Sequence, residues 1–524
     1  LLSPRFPRAS GARRTAEPAP RKRKALPPGR LMAVLLVATL ATVGPILESS
    51  LGDGRGWTIG LLLLLVAPSL ARAGGPRFHP LDPETYIPAA YFLTVGYTPI
   101  LKLLTSYGFH LPSYDAAAME VGYAGATGCA IVCTALSRLP ESPNVERVVP
   151  VHRPKAMLDR DWAAILVGLC GFALVVAWIA SIGVGQFFTM DYASNHLVED
   201  GRGLLTSGWY PVKLVVAYLF LRFASVRKAG LPVPKTLLIA GSFFLATLLL
   251  TTIMGRRGPL VWTVLAIGLT LHTYGIQIRR LWLALGMVCV LFYGIAVEGA
   301  RNAQGSGFDA QITAAMDHLD RTDDPLEIGE LRMIHSNLVS IVNERPPIVI
   351  YTGESWVNAF LILIPKPLWS ERPLSLGQRY AVWRAPDLAR HGAGFAMSAA
   401  AEGYLNLGLL GAAIQVGVMS GLFFMLPLLV AGARDATPLV RASAATLSAF
   451  AYNQFRGELT ALLKISVSLG VGVVGIVLLT SVIKHLRQWL IARQPAPTRP
   501  ARRLPAAHLG RSATGPALQA SRRP

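Results

Sequence analysis

Apolar residues in this chain come in long blocks separated by short polar stretches. The blocks cover 31–47, 57–73, 88–104, 116–137, 162–184, 209–223, 236–254, 259–276, 281–298, 403–430, 442–455 and 465–483. Most are as long as a helix that crosses the hydrocarbon core of a bilayer. In lipid each backbone polar group must be paired within its own segment, so the blocks are expected to be helices. The pattern therefore predicts an all-α, polytopic membrane protein of about twelve transmembrane helices.

Two intervals break the rhythm. Residues 185–208 form a medium loop, and residues 299–402 a loop of about one hundred residues. A loop of that length is expected to be folded or functional. Asp324-Pro325-Leu326-Glu327 has the N-cap, first-turn proline and capping-box acid of a helix start. Leu331, Ile334, Leu338 and Ile341 then recur at helical spacing, and Pro346-Pro347 ends the run. Trp356–Ile364 is apolar but too short to span, which suggests a re-entrant or interfacial segment. The organisation expected is a tail over 1–30, a membrane domain over 31–483 containing the loop 299–402, and a second tail over 484–524. Both tails are basic, proline-rich and expected to be disordered. The chain opens on Leu1, and Met32 is a candidate start within it.

Composition agrees with a membrane protein: 52% of residues are hydrophobic and 15% charged. The net charge of +21 would suit a nucleic-acid binder, but its distribution does not. Basic residues fill the tails and alternate loops. With both termini cytoplasmic, 33 of the 50 lysines and arginines fall on the inner side, as the positive-inside bias requires. Cys129, Cys133, Cys170 and Cys289 all lie in apolar blocks, and neither a disulfide framework nor a metal site is expected from them. No nucleotide-binding or zinc-protease motif is evident.

Topology disfavours arginine beside the outer ends of spans, so arginines found there are candidate ligands for an anion. Arg256 and Arg257 sit between glycines where the seventh span meets the outer surface. Paired guanidiniums near a helix start suit a diphosphate; the alternative is interfacial anchoring, which normally accompanies the cytoplasmic end. Arg301 follows the ninth span and Arg456 the eleventh, each with a nearby carboxylate (Glu298, Glu458) as the simpler partner. Four arginines from three span ends could converge on one site. His391, beside Gly392 and Gly394 at the loop exit, could serve as general base or phosphate donor. Glu402 could take a proton from a sugar hydroxyl or cap its own helix. Asp159-Arg160-Asp161 reads as a helix start on the inner side. Glu48 and Asp53 have undistinguished spacing for a metal, and Glu120 within the fourth span requires a partner.

Three stretches carry a family resemblance: Gly255-Arg256-Arg257-Gly258; Ile364-Pro365-Lys366-Pro367-Leu368-Trp369-Ser370-Glu371-Arg372-Pro373; and the exit from His391 to Gly408 with Ala401-Glu402-Gly403-Tyr404-Leu405-Asn406-Leu407-Gly408. The chain resembles the O-antigen polymerase family, Wzy-like oligosaccharide repeat-unit polymerases. The second stretch is similar to that family's I-P-R-x-L-W-P-x-K-P run with Lys and Arg exchanged. The resemblance implies a membrane-embedded glycosyltransferase-like fold in the bacterial inner membrane. It implies undecaprenyl-diphosphate-linked glycans as donor and acceptor, no cofactor, and a chain-length regulator as a possible protein partner. It maps Arg256 or Arg257 and Arg301 to diphosphate binding and His391 to the reacting centre. Lys366 and Arg372 join the substrate-binding set. O-antigen ligases share the donor, and a lipid-linked oligosaccharide flippase would share the span count. A flippase, however, would be expected to carry paired charges in mid-membrane and little outer domain.

The orientation is open to direct test. A topology reporter fused after Gly305 should be periplasmic and one fused after Val151 cytoplasmic; the opposite pattern would overturn every outer-face assignment.

Overall fold

The computed structural model describes residues 35–73, 79–105, 112–137, 158–183, 203–228, 230–253, 258–273, 329–344, 352–364, 368–390, 394–432 and 437–493, with isolated positions between 185 and 314. The described residues form helices and no strand. In chain order these are α1 (Val43–Leu51), α2 (Arg55–Ala73), α3 (Pro83–Val95), α4 (Tyr97–Thr105), α5 (Ser113–Ser137), α6 (Asp159–Ile182), α7 (Gly203–Thr206), α8 (Trp209–Lys228) and α9 (Lys235–Ile253). They continue with α10 (Gly258–Thr273), α11 (Gly329–Glu344), α12 (Glu354–Leu361), α13 (Leu376–Arg384), α14 (Pro386–Arg390), α15 (Ala399–Gly432), α16 (Pro438–Ala449), α17 (Ala451–Phe455) and α18 (Leu459–Arg493).

Five of these, α5, α6, α8, α15 and α18, are long and apolar enough to cross a membrane. Helices α3 and α4 pass the same test as a pair bent by 62°. Shorter apolar helices cover Leu35–Leu51, Arg55–Ser69, Lys235–Leu248 and Val261–Thr273. The described residues thus agree with an all-helical polytopic membrane protein; five helices, or six with the bent pair, have spanning length and composition among them, and the expected twelve are not established there. The expected span 442–455 is divided between α16 and α17, and most of 281–298 lies outside the described residues.

Helix α5 is the centre of the bundle and packs chiefly on α15 and α2. Its buried positions, including Ala118, Met119, Gly122, Ala126, Cys129, Ala130 and Cys133, recur at helical spacing. Small residues allow close backbone approach where lipid offers no hydrophobic drive for association. Large apolar side chains on α6, α15 and α18, such as Leu166, Leu410 and Val471, are exposed outward, as a lipid-facing surface requires.

The Asp-Arg-Asp sequence is a helix start, as its position suggests. Asp161 accepts the Leu158 amide at 2.9 Å. It also accepts from Tyr218 Oη at 2.6 Å and from Arg222 Nε at 2.9 Å. This buried pair ties the first turn of α6 to α8. Its charge is satisfied locally, the condition under which burial of a carboxylate is tolerated. Glu48 is similarly occupied: its carboxylate accepts the Gly54 and Gly56 amides at 2.8 and 2.9 Å, at the start of α2.

Helix α15 holds the main departure from the expected spans. It is broken at Leu407 (φ −145°, ψ 26°) and Gly408 (φ 64°, ψ −150°), the latter a conformation that favours glycine. The short limb before the break folds back on the long limb after it. In a straight helix Gly403 and Gly411 would lie about 12 Å apart. Here a methyl on Gly403 would come within 2.4 Å of the Gly411 carbonyl oxygen. The span proper therefore starts near Leu409, not at 403, and Glu402 stands on a separate short limb.

Candidate functional site

The short limb of α15 places Glu402 against three other elements. Its side chain is 1% exposed. One carboxylate oxygen accepts from Ser355 Oγ of α12 at 3.0 Å. The other accepts from the Leu459 amide, the first of α18, at 2.7 Å, and from the Gln415 amide of the long limb. Asn406 donates to Ser355 Oγ at 2.6 Å, and Trp356 Nε1 donates to Gln415 Oε1 at 2.8 Å. Glu402 thus does not cap its own helix: Ser398 Oγ, accepting the Ala401 amide at 3.1 Å, does that. The carboxylate instead meets the positive end of α18, where a negative charge is stabilised.

The turn that precedes α18 carries Arg456 and Glu458. The Glu458 carboxylate accepts the Gly377 amide at 2.8 Å, at the first turn of α13. Burial pushes the Glu458 carboxyl above its ordinary pKa, with the α13 hydrogen bonds pulling part of the way back. Helix α13 begins with a capping box between Ser375 and Gln378. The segment after His391 is seated on the same helix: the Phe395 amide donates to the Gly377 carbonyl at 3.1 Å. Asn337 of α11 donates to the Ala396 carbonyl at 2.9 Å. The loop therefore closes on itself and on the ends of α15 and α18.

Arg372 lies on the same subdomain. Its guanidinium donates to the Ile362 and Ile364 carbonyls at 2.6 and 2.8 Å, closing the C-terminal end of α12. Among the sequence-derived site residues the structure thus gathers Glu402, Arg372 and Arg456 around α12, α13 and the start of α18. Arg256, Arg257, Arg301, Lys366 and His391 lie outside the described residues. Arg256 and Arg257 immediately precede α10, and His391 falls between Arg390 and Gly394. No group of three or more His, Cys, Asp or Glu arranged to hold a metal occurs among the described residues.

One cluster had no counterpart in the reading of the sequence. Helix α11 carries the expected stripe, and Leu331, Ile334, Leu338 and Ile341 are all buried. It also buries His335, whose Nε2 lies 2.6 Å from Oδ1 of Asp115 at the start of α5. Lys102 of α4 reaches the same carboxylate at 3.1 Å. Because a carboxylate only accepts, the imidazole carries its proton on Nε2. Nδ1 is buried and has no hydrogen-bond partner among the described residues. The signal that could have found this cluster is Lys102, a cation inside an apolar block that demanded an acid nearby.

The sequence profile of O-antigen polysaccharide polymerase Wzy matches residues 214–486, more than half of the 524-residue chain. The chain belongs to the O-antigen polysaccharide polymerase Wzy family. Comparison with curated proteins and with solved structures gives no match. The matched region runs from α8 to α18 and so contains the whole Glu402 cluster and the large loop. A Wzy-family chain is an integral membrane enzyme of O-antigen polymerisation acting on lipid-linked oligosaccharide, and the apolar helices described here agree with that setting.

The α11 cluster makes a pH prediction. Burial lowers the His335 pKa, an effect that the Asp115 carboxylate opposes only in part. With the folded-state pKa below the unfolded one, this stability is complete above the ordinary histidine pKa of about 6.5 and is lost as pH falls through it. The melting temperature of the purified protein should drop between about pH 7 and about pH 5. His335→Gln, which still donates to Asp115 but does not titrate there, should flatten that drop. Parallel melting profiles for the two proteins would contradict the assignment.

Proposed function

We propose that this chain polymerises undecaprenyl-diphosphate-linked oligosaccharide repeat units on the periplasmic face of the inner membrane, with both of its termini cytoplasmic. The observation that carries this reading is the family match over the region where the large loop closes on the span ends. The growing glycan is the donor and a new lipid-linked repeat the acceptor. The bond between the donor's anomeric carbon and the diphosphate oxygen breaks. The acceptor hydroxyl oxygen forms the new glycosidic bond and releases its proton to a base. Undecaprenyl diphosphate departs with the negative charge.

That chemistry asks for two things, cations on the leaving diphosphate and a base near the acceptor. Arg256, Arg257, Arg301 and Arg456 are assigned to the diphosphate, since guanidinium binds phosphate oxygens bidentately. Lys366 and Arg372 are assigned to substrate on the same subdomain. His391 is assigned as the base or as a phosphate contact at the loop exit. Glu402 was the second candidate base; its burial and its three hydrogen-bond donors support a positioning role, holding the Arg456 turn and α12 in register. No metal or nucleotide is called for, because the sugar–diphosphate bond already stores the energy. A chain-length regulator is proposed as a partner protein.

The test is reconstituted protein supplied with a purified lipid-linked repeat and with lipid A-core, with products resolved by size. A ladder of several repeats marks a polymerase, whereas single transfer only to lipid A-core marks a ligase and overturns the reading. Arg257→Ala and Arg301→Ala should each cut turnover roughly 10²–10³-fold, and Arg→Lys should recover only part. His391→Ala should cut it roughly 10²–10⁴-fold if the histidine is the base. His391→Arg retaining much of the activity would identify a phosphate contact instead. A full ladder from the double alanine variant at Arg256 and Arg257 would sink the diphosphate clamp.

A further inference from the structure

Helix α12 and the turn that follows it present an apolar face that no described part of the protein covers. Ser355, Asn358, Ala359 and Ile362 are buried against the bundle. On the other side Val357 is 60% exposed, Phe360 59% and Leu368 80%. Ile364 and Trp369 are partly exposed on the same stretch. Val357 and Phe360 share one face of α12, which a water-facing helix would fill with polar residues, and Ile364 and Leu368 beyond its end at Leu361 are exposed as well.

The hydrogen bonds fix how deep this face lies. Ser355 shares the Glu402 carboxylate with Leu459, the first residue of the membrane-spanning α18. Trp356 donates to Gln415, which is six residues into the long limb of α15 that starts at Leu409. At the helical rise that is about 9 Å along the span. The long limb, roughly 36 Å from Leu409 to Gly432, exceeds a hydrocarbon core of about 30 Å by only a few ångströms. Helix α12 therefore stands beside the outermost part of a span, not above it.

Its neighbours at that depth already face lipid. Helix α12 packs on α18 and α15, whose outward side chains include Leu410, Ile414, Val418, Val467 and Val471, all exposed and apolar. The apolar face of α12 thus stands on helices whose own outward side chains are apolar. Arg372 holds its guanidinium at the carbonyl end of α12. With Trp369 three residues before it, this is the pairing of ring and cation found at the lipid head-group level.

We propose that residues 354–364 and 368–374 lie in the membrane interface. The exposed side chains of Val357, Phe360, Ile364 and Leu368 enter the acyl boundary of the leaflet, and Trp369 and Arg372 sit among the phosphate head groups. The loop subdomain is thereby held by lipid as well as by the Glu402 hydrogen bonds, at the depth where a lipid-linked diphosphate lies. The bilayer contact does not depend on the polymerase reading or on which leaflet is involved.

Spin-label accessibility tests this in the full chain reconstituted in phosphatidylethanolamine–phosphatidylglycerol vesicles. Cys129, Cys133, Cys170 and Cys289 are first replaced by alanine. Single cysteines are then introduced at Val357, Phe360 and Leu368, with Arg390 as a water-exposed reference. The three apolar positions should favour collision with dissolved oxygen over a water-soluble nickel chelate, and Arg390 should show the reverse. Chelate-favoured collisions at all three apolar positions would overturn the proposal, as would dipolar broadening between labels that shows a second copy covering the face. Three separate positions keep the test informative if one substitution prevents insertion. Polymerisation need not be measured, so failure here is distinct from failure of the proposed activity.

Discussion

A carboxylate removed from water must be satisfied where it stands, and the arrangement of this protein's large loop follows from how Glu402 meets that constraint. Its two oxygens take hydrogen bonds from α12, from the long limb of α15 and from the first amide of α18. Losing any one donor weakens the solvation of a buried carboxyl group, at a cost on the order of 1–3 kcal/mol. The three elements are thus held in one relative position. That position exists only because Gly408 turns the chain back and allows residue 402 to reach residue 415.

The turn between α17 and α18 inherits this rigidity. Glu458 fixes it to α13, Leu459 fixes it to Glu402, and Arg456 lies between those contacts and α17. Arg372 closes α12 on the same side. A cation placed on such a frame is pre-oriented, which is the property that stabilises charge developing on a leaving group. Helix α11 is joined to the frame through Asn337 and the segment that follows His391, and to the bundle through Asp115. The loop is accordingly a folded subdomain seated on the spans, and the family's reaction on lipid-linked sugar is compatible with such a seat.

Local pattern made some of this legible in the sequence. The α11 stripe, the helix start at Asp159 and the short apolar stretch at 356–364 each depend on neighbours a few residues apart, and each is found where spacing places it. The break at 407–408 was not legible, because Leu-Gly-Leu-Leu-Gly reads as uninterrupted apolar helix. The partners of Glu402 lie 47 and 57 residues away in one direction or the other, and those of Asp115 as far as 220, beyond any periodicity. The 62° bend at Gly96 was likewise not legible, because hydropathy does not register a change of direction inside an apolar block. The arginines at 256, 257 and 301 and the histidine at 391 remain assignments from sequence, since they fall outside the described residues.

The claim on which the account rests is that the Glu402 carboxylate seats the loop on the spans. Hydrogen–deuterium exchange of reconstituted Glu402→Ala against the parent measures it most directly. Uptake should rise together in 352–364 and in 456–462, while α5, which makes no bond to Glu402, stays as protected as in the parent. Unchanged uptake in both of those segments would contradict the account.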